Sequence, residues 1–168
     1  MRVSENGVAI PDLIGMVKQA IKTANVSNTD LSRDLRVSAV QLTLNVVATS
    51  SLGGGMDFRI PFVGMQIKLG YKVTKQNTHR IQINLVPPEI VNRPELREGD
   101  FSSVFVDAIT TIRAAVAYAA TGDDPFALAE SSVNISFAIT ADGAISLGVD
   151  GGLANELTHT LTLSLVSA

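Results

Sequence analysis

The chain has 168 residues, of which 46% are hydrophobic and only 17% charged, with 13 Lys and Arg against 16 Asp and Glu. Typical soluble domains are about 25% charged, so either the core is unusually large for this length or a partner covers some of the apolar surface. We favour the partner, because small domains have little interior. Without clustered cations or tryptophan we expect no nucleic-acid partner, and the absence of cysteine excludes disulfides, thiolate metal sites and cysteine nucleophiles.

The first half of the chain predicts one helix followed by strands. Apolar residues recur at spacings of three and four over residues 12–24, which is typical of an amphipathic helix. Apolar and polar residues then alternate, as in half-buried strands, at residues 40–46, 65–71 and 81–85. One amphipathic helix can cover three short strands, and short connections favour an antiparallel meander. We therefore predict a first helix-plus-sheet repeat over residues 1–88.

An apolar, glycine-rich insertion follows the first of these strands at about residues 50–64, SSLGGGMDFRIPFVG. An ordinary hairpin connection needs only a few residues, and an insertion this apolar should be buried against its own chain or against another subunit. If it is exposed in the isolated chain, it is the best candidate for a binding surface. The candidate interaction surface consists of Met56, Phe58, Ile60, Phe62 and Val63.

The second half of the chain follows a linker. Residues 89–100 combine proline with many charged residues, which is typical of a linker. A second helix is predicted over residues 107–119, with Gly122 just past its end, where a positive φ is needed. Strands with the same alternation follow at residues 133–139, 145–149 and 161–165. These elements predict a second helix-plus-sheet repeat over residues 101–168.

The two halves contain the same four blocks in the same order. Each ends in a similar strand, NTHRIQINLV at 77–86 and LTHTLTLSLV at 157–166. The residues that mark the repeat are Thr78, His79, Thr158 and His159. The predicted fold class is therefore α+β, with two tandem repeats, each one amphipathic helix followed by a three-stranded antiparallel sheet. Small sheets have open edges, and the two sheets could either merge or stack face to face.

The only two histidines, His79 and His159, occupy equivalent positions in this comparison. They could form a symmetric metal pair, or each ring could pack at the end of its sheet and bind a nearby carbonyl. We favour packing, because no third ligand lies at a recognisable spacing. The sequence also lacks the motifs of phosphate-binding loops, serine hydrolases and zinc peptidases. We therefore predict no enzyme, no catalytic residue, no metal and no cofactor.

The order of helix, V-x-L-x-L-x-V strand, hydrophobic strand and Thr-His strand resembles the bacterial trypsin-co-occurring domain family, second type. The matching residues are DLIGMVKQAIKTA, VQLTLNVVA, IKLGY and THRIQINLVPP in the first half, and DAITTIRAAVAYA, VNISFAITA, ISLGV and THTLTLSLV in the second. The resemblance implies small helix-plus-sheet modules without catalytic residues, which act as adaptors beside trypsin-like peptidases or other effectors in bacterial defence or signalling. This chain would carry two tandem copies, with the insertion in the first.

Three functions are compatible with these patterns. We favour a non-catalytic protein–protein interaction and assembly module that forms a homo-oligomer, ring or filament, because an insertion in one half permits head-to-tail contacts. The alternative is an adaptor that recruits a trypsin-like peptidase or another effector in a bacterial defence or signalling system. The least favoured is an enzyme or metal protein that uses both histidines. We expect a cytoplasmic protein without membrane insertion, since Asp107 and Arg113 interrupt the longest apolar region.

Overall fold

The computed structural model describes residues 1–24, 26, 34–51, 53–67, 70–87, 102–122, 127–147 and 157–167. The helices are α1 (Ile10–Thr23) and α2 (Ser102–Ala119), with a short 3-10 helix at Lys75–Asn77. The strands are β1 (Val3–Ser4), β2 (Gly7–Ala9), β3 (Leu35–Ser50), β4 (Met56–Ile60), β5 (His79–Leu85), β6 (Ser131–Ile139), β7 (Ile145–Leu147) and β8 (His159–Ser167). Both predicted helices are thus confirmed, and Gly122 after α2 has a φ of +99°.

The eight strands of the described residues form one sheet. Its order is β1-β2-β4-β3-β8-β6-β7, and β5 pairs with β3 off this path. The pairings whose register is defined are antiparallel, with Val8 opposite Ile60, Ala48 opposite Phe58 and Phe137 opposite Leu147. The 16 residues of β3 make it long enough to serve several neighbours.

The predicted fold class, two tandem α+β repeats that each have their own three-stranded sheet, is wrong. In the structure β8, from the second half of the chain, lies between β3 and β6 within a single antiparallel sheet. The physical reason is the free edge of a small sheet, whose unpaired backbone groups need partners. Here a strand from the other half of the chain supplies them, so the fold is mostly β and the helices are the minor part.

The strand predicted at residues 65–71 is also wrong. The described residues there form only an isolated bridge between Gln66 and Lys72. The place beside β3 is taken by β4, from the insertion, which follows β3 after a short turn. A hairpin partner this close in sequence has a lower loop-closure cost than one further along the chain.

The chain divides into two compact units, each made of three segments. The first unit comprises Met1–Gly15, Gln41–Ile83 and Asn134–Leu161, and the second comprises Met16–Val40, Asn84–Val133 and Thr162–Ala168. The predicted linker over residues 89–100 lies outside the described residues. The predicted domain boundaries at residues 88 and 101 also lie outside the described residues, so they stay a prediction.

The core is built from the alternating side chains of the strands, from one face of α1 and from Ile109 of α2. The largest fully buried side chains are Leu13, Leu35, Leu42, Leu44, Ile60, Ile109, Phe137, Ile139, Leu161, Leu163 and Leu165. In α1, Leu13, Val17 and Ala20 recur at the spacing of one helix face and are all buried. This burial explains why the helical and strand periodicities were both visible in the sequence.

Candidate functional site

The apolar insertion folds as a β-hairpin. Strand β4 pairs with the end of β3, from Val47 opposite Arg59 to Ser50 opposite Met56. The turn is closed by a hydrogen bond of 2.9 Å from the Ser51 N–H to the Gly55 carbonyl, and Gly54 has a φ of +82°. Glycine adopts this conformation without steric cost. The glycine run therefore forms the turn, and the apolar residues after it form strand β4.

One face of β4 passes from the core into solvent. Ile60 is fully buried, Phe58 is 38% exposed and Met56 is 70% exposed. These three residues alternate along the strand and therefore share one face. On the opposite face, Arg59 Nε lies 2.7 Å from Asp57 Oδ2 in a partly exposed ion pair. The uncovered end of β4 is thus apolar on one side and polar on the other.

The other predicted surface residues divide between interior and exterior. Phe62 packs against a small buried cluster formed by Val47, Met65, Val73 and Leu157. Val63 is exposed, and its N–H donates to the Ile139 carbonyl at 2.7 Å. Of the five candidate residues, Met56, Phe58 and Val63 are therefore exposed, Ile60 is fully buried and Phe62 is half-buried.

The exposed face of β4 continues onto β5. The ring of Phe58 meets the ring of His79, the first residue of β5, edge to face, with centroids 6.2 Å apart at an interplanar angle of 84°. His79 itself is exposed. We define the β4 patch as Met56, Phe58 and His79. An exposed group of large apolar and aromatic side chains of this kind is typical of a protein interaction site.

His159 occupies a different environment. It is fully buried, and the Asn45 backbone N–H donates to its Nδ1 at 3.1 Å, while Asn45 Nδ2 donates to the Thr158 carbonyl at 2.7 Å. The ring of Phe137 lies 5.4 Å away, centroid to centroid. Because Nδ1 accepts, the proton of the neutral ring sits on Nε2, which has no hydrogen-bond partner within the described part of the chain.

Burial of the imidazole lowers the pKa of His159 to about 4, because the charged form loses its hydration. The nearby Pro61 carbonyl favours the charged ring and opposes this shift in part, although its geometry at Nε2 is not that of a hydrogen bond. Protonation at Nδ1 would also set two N–H groups against each other at Asn45. His159 is therefore neutral near pH 7 and fastens the start of β8 to β3.

The two histidines that marked the repeat thus have unlike surroundings. Strand β8 lies inside the sheet, so His159 is enclosed, whereas β5 pairs with β3 alone among the described strands and His79 is exposed. Thr78 is half-buried before β5, and the Thr158 carbonyl accepts from Asn45. In the ranges that the structure describes, no group of three or more His, Asp or Glu side chains could hold a metal ion.

A cleft of about 850 Å³ lies in the first unit. Its walls come from the β1–β2 turn (Glu5 and Asn6), the end of β3, and Met65, Gln66, Ile67 and Gly70. Sequence reasoning missed this cleft because its lining comes from three separate segments, none of which carries a binding motif. Polar and apolar groups line it, and they mark no particular ligand chemistry.

None of the described helices has the length and hydropathy needed to cross a membrane.

The family model of trypsin-co-occurring domain 2 matches residues 8–87, which run from β2 through the end of β5. The match supports the resemblance found in the first half of the sequence, and it includes the whole β4 patch. A second copy over residues 101–168 stays a prediction. No curated protein and no solved structure matches the chain.

Proposed function

We propose that this chain is a non-catalytic interaction and assembly module that associates with copies of itself through the β4 patch. The observation that carries the proposal is the exposure of Phe58 and Met56, 38% and 70%, on a face whose next residue, Ile60, is fully buried. Removing a large apolar side chain from water contributes about 1.5–3 kcal/mol. A partner that buries Phe58 and Met56, beyond the already buried Ile60, would gain part of this contribution.

Charge favours a second copy as the partner. The β4 patch contains no Asp, Glu, Lys or Arg, and Asp57 and Arg59 on the reverse face neutralise each other. The net charge of −3 over 168 residues produces little repulsion between copies. Self-association is thus opposed by no large electrostatic cost, and a contact that pairs unlike surfaces would lead to a ring or a filament.

Replacing Met56 and Phe58 together by serine should weaken self-association by at least about ten-fold. The exposed parts of the two side chains, 70% and 38%, together equal about one fully exposed side chain, whose burial contributes about 1.5–3 kcal/mol, against about 1.4 kcal/mol for a ten-fold change. Sedimentation velocity over a concentration series measures the shift. Tyr118→Ser is the matched control, because Tyr118 is 84% exposed on α2 and lies outside the patch. Equal sedimentation of the double variant and the unmodified chain would refute the proposed surface.

A second candidate is the adaptor that binds a trypsin-like peptidase, and the family match of residues 8–87 to a domain that co-occurs with trypsin favours it. A purified trypsin-like peptidase encoded beside this chain's gene, made inactive at its nucleophile, should then bind the chain in calorimetric titration. Phe58→Ser should weaken that binding while Tyr118→Ser leaves it unchanged. Absence of heat at micromolar concentrations of both proteins would exclude this function for that peptidase.

A further inference from the structure

Among the described strands, β5 has an open edge. It pairs with β3, and no other described strand lies beside it, so one row of its backbone N–H and C=O groups faces away from the sheet. Ile81 and Ile83 are half-buried, whereas the remaining residues of the strand are exposed. At its end, Leu85 and the following Val86 are also exposed apolar residues.

This edge lacks the usual protection against pairing with another strand. Edge strands are commonly very short, or carry lysine, proline or a bulge. At the two ends of the main strand path, β1 has two residues and β7 has three. By contrast, β5 has seven residues, with Arg80 as its single charged side chain and no proline. Its length and composition suit it to accept a strand.

The sequence of β5 is complementary to itself in one antiparallel register. If a second β5 is centred on Gln82, Ile81 faces the second copy's Ile83, Arg80 faces its Asn84, and His79 faces its Leu85. No like charges oppose each other, and the half-buried isoleucines of both copies share one face. The second copy's Leu85 would then lie next to His79, whose ring contacts Phe58.

We infer that β5 is a dimerisation edge that pairs antiparallel with β5 of a second copy, centred on Gln82. This inference rests on the proposed self-association and adds to it the strand, the register and the symmetry. The contact is isologous, with the same residues on both sides. It would join the sheets of two copies through backbone hydrogen bonds and place the second copy's Leu85 against His79 of the β4 patch.

A single-cysteine variant tests the register, because the chain contains no cysteine of its own. In the inferred pairing Gln82→Cys faces itself, with Cα atoms about 4.5–5.5 Å apart, within the range of a disulfide. Arg80→Cys is the matched control on the same exposed face, and its thiols would lie about 13 Å apart along the strands. Mild oxidation should give at least ten-fold more covalent dimer with Gln82→Cys than with Arg80→Cys.

A mixture of the Arg80→Cys and Asn84→Cys chains provides a second measurement, since these positions face each other and should form a disulfide-linked heterodimer. If crosslinking is absent, or equal between the paired and the control positions, while light scattering shows that the unmodified chain is oligomeric, the β5 pairing is overturned. The proposed self-association then remains in place. An unmodified chain that is monomeric at every concentration would overturn both. A covalent dimer specific to Gln82→Cys supports both.

Discussion

Replacing Gly7 by alanine should lower the free energy of unfolding by about 2–4 kcal/mol. Gly7 has a φ of +97°, and a Cβ placed on it would lie 2.5 Å from the Ile60 carbonyl oxygen. The substitution therefore adds backbone strain and pushes β2 away from β4, where Val8 is paired with Ile60. Urea denaturation of the purified variant measures the loss.

Gly15→Ala is the matched control for this substitution. Gly15 is exposed within α1, and apart from its chain neighbours and the adjacent backbone of the helix no atom lies within 4 Å of the position that its Cβ would take. Alanine there should raise the free energy of unfolding by about 0.5–1 kcal/mol, because glycine is the poorer helix former. If Gly7→Ala proved as stable as the unmodified chain, the close approach of β2 to β4 would be incorrect.

The second large expected effect is a loss of folding stability at acidic pH. His159 has a pKa of about 4 in the folded chain, against an ordinary histidine pKa of 6.5, so between these values the unfolded chain binds a proton that the folded chain does not. Stability from this group is present above pH 6.5 and is lost as the pH falls towards 4. The difference amounts to about 3 kcal/mol, and it should appear as a steep decline in the free energy of unfolding.

His159→Asn should remove this part of the decline, since the asparagine carbonyl can still accept from the Asn45 N–H but has no proton to bind. Urea denaturation at intervals from pH 7.5 to pH 4 gives the two curves, and their difference isolates the contribution of His159 from that of the carboxylates. His79→Asn, the same substitution at an exposed site, is the control. A curve for His159→Asn that declines as steeply as that of the unmodified chain would show that this imidazole is not buried in its neutral form.

Local periodicity was sufficient to predict the helices and most of the strands. The spacing of Leu13, Val17 and Ala20 gave α1, and the alternation around Leu42 and Leu44 gave β3. These patterns show which side of an element faces the core, and that side can be identified from the element's own residues. They predicted the fold only up to the level of single elements.

The arrangement of the strands could not be predicted from the same signals. Two similar strands, 77–86 and 157–166, have nearly the same alternation, yet β8 lies inside the sheet and β5 at an edge. Both strands pair with β3, but only β8 has a second described neighbour, β6, on its other side. Periodicity does not encode which strand receives a second partner. It is also the reason that His159 is enclosed while His79 is exposed.

The candidate site was predicted in part for a related reason. The insertion was recognised from its apolar residues and glycines, and it does form a distinct element, the β4 hairpin. Alternation alone could not show that Ile60 would be covered while Phe58 and Met56 on the same face would not. The burial of each side chain on this face depends on how far neighbouring elements extend along β4, and that is a property of tertiary packing.

The molar mass of the unmodified chain, measured by light scattering over about a hundred-fold range of concentration, tests the proposed assembly most directly. The β5 pairing predicts a rise from 17.7 kDa at low concentration to twice that mass at high concentration. A mass of 17.7 kDa throughout the range would contradict it.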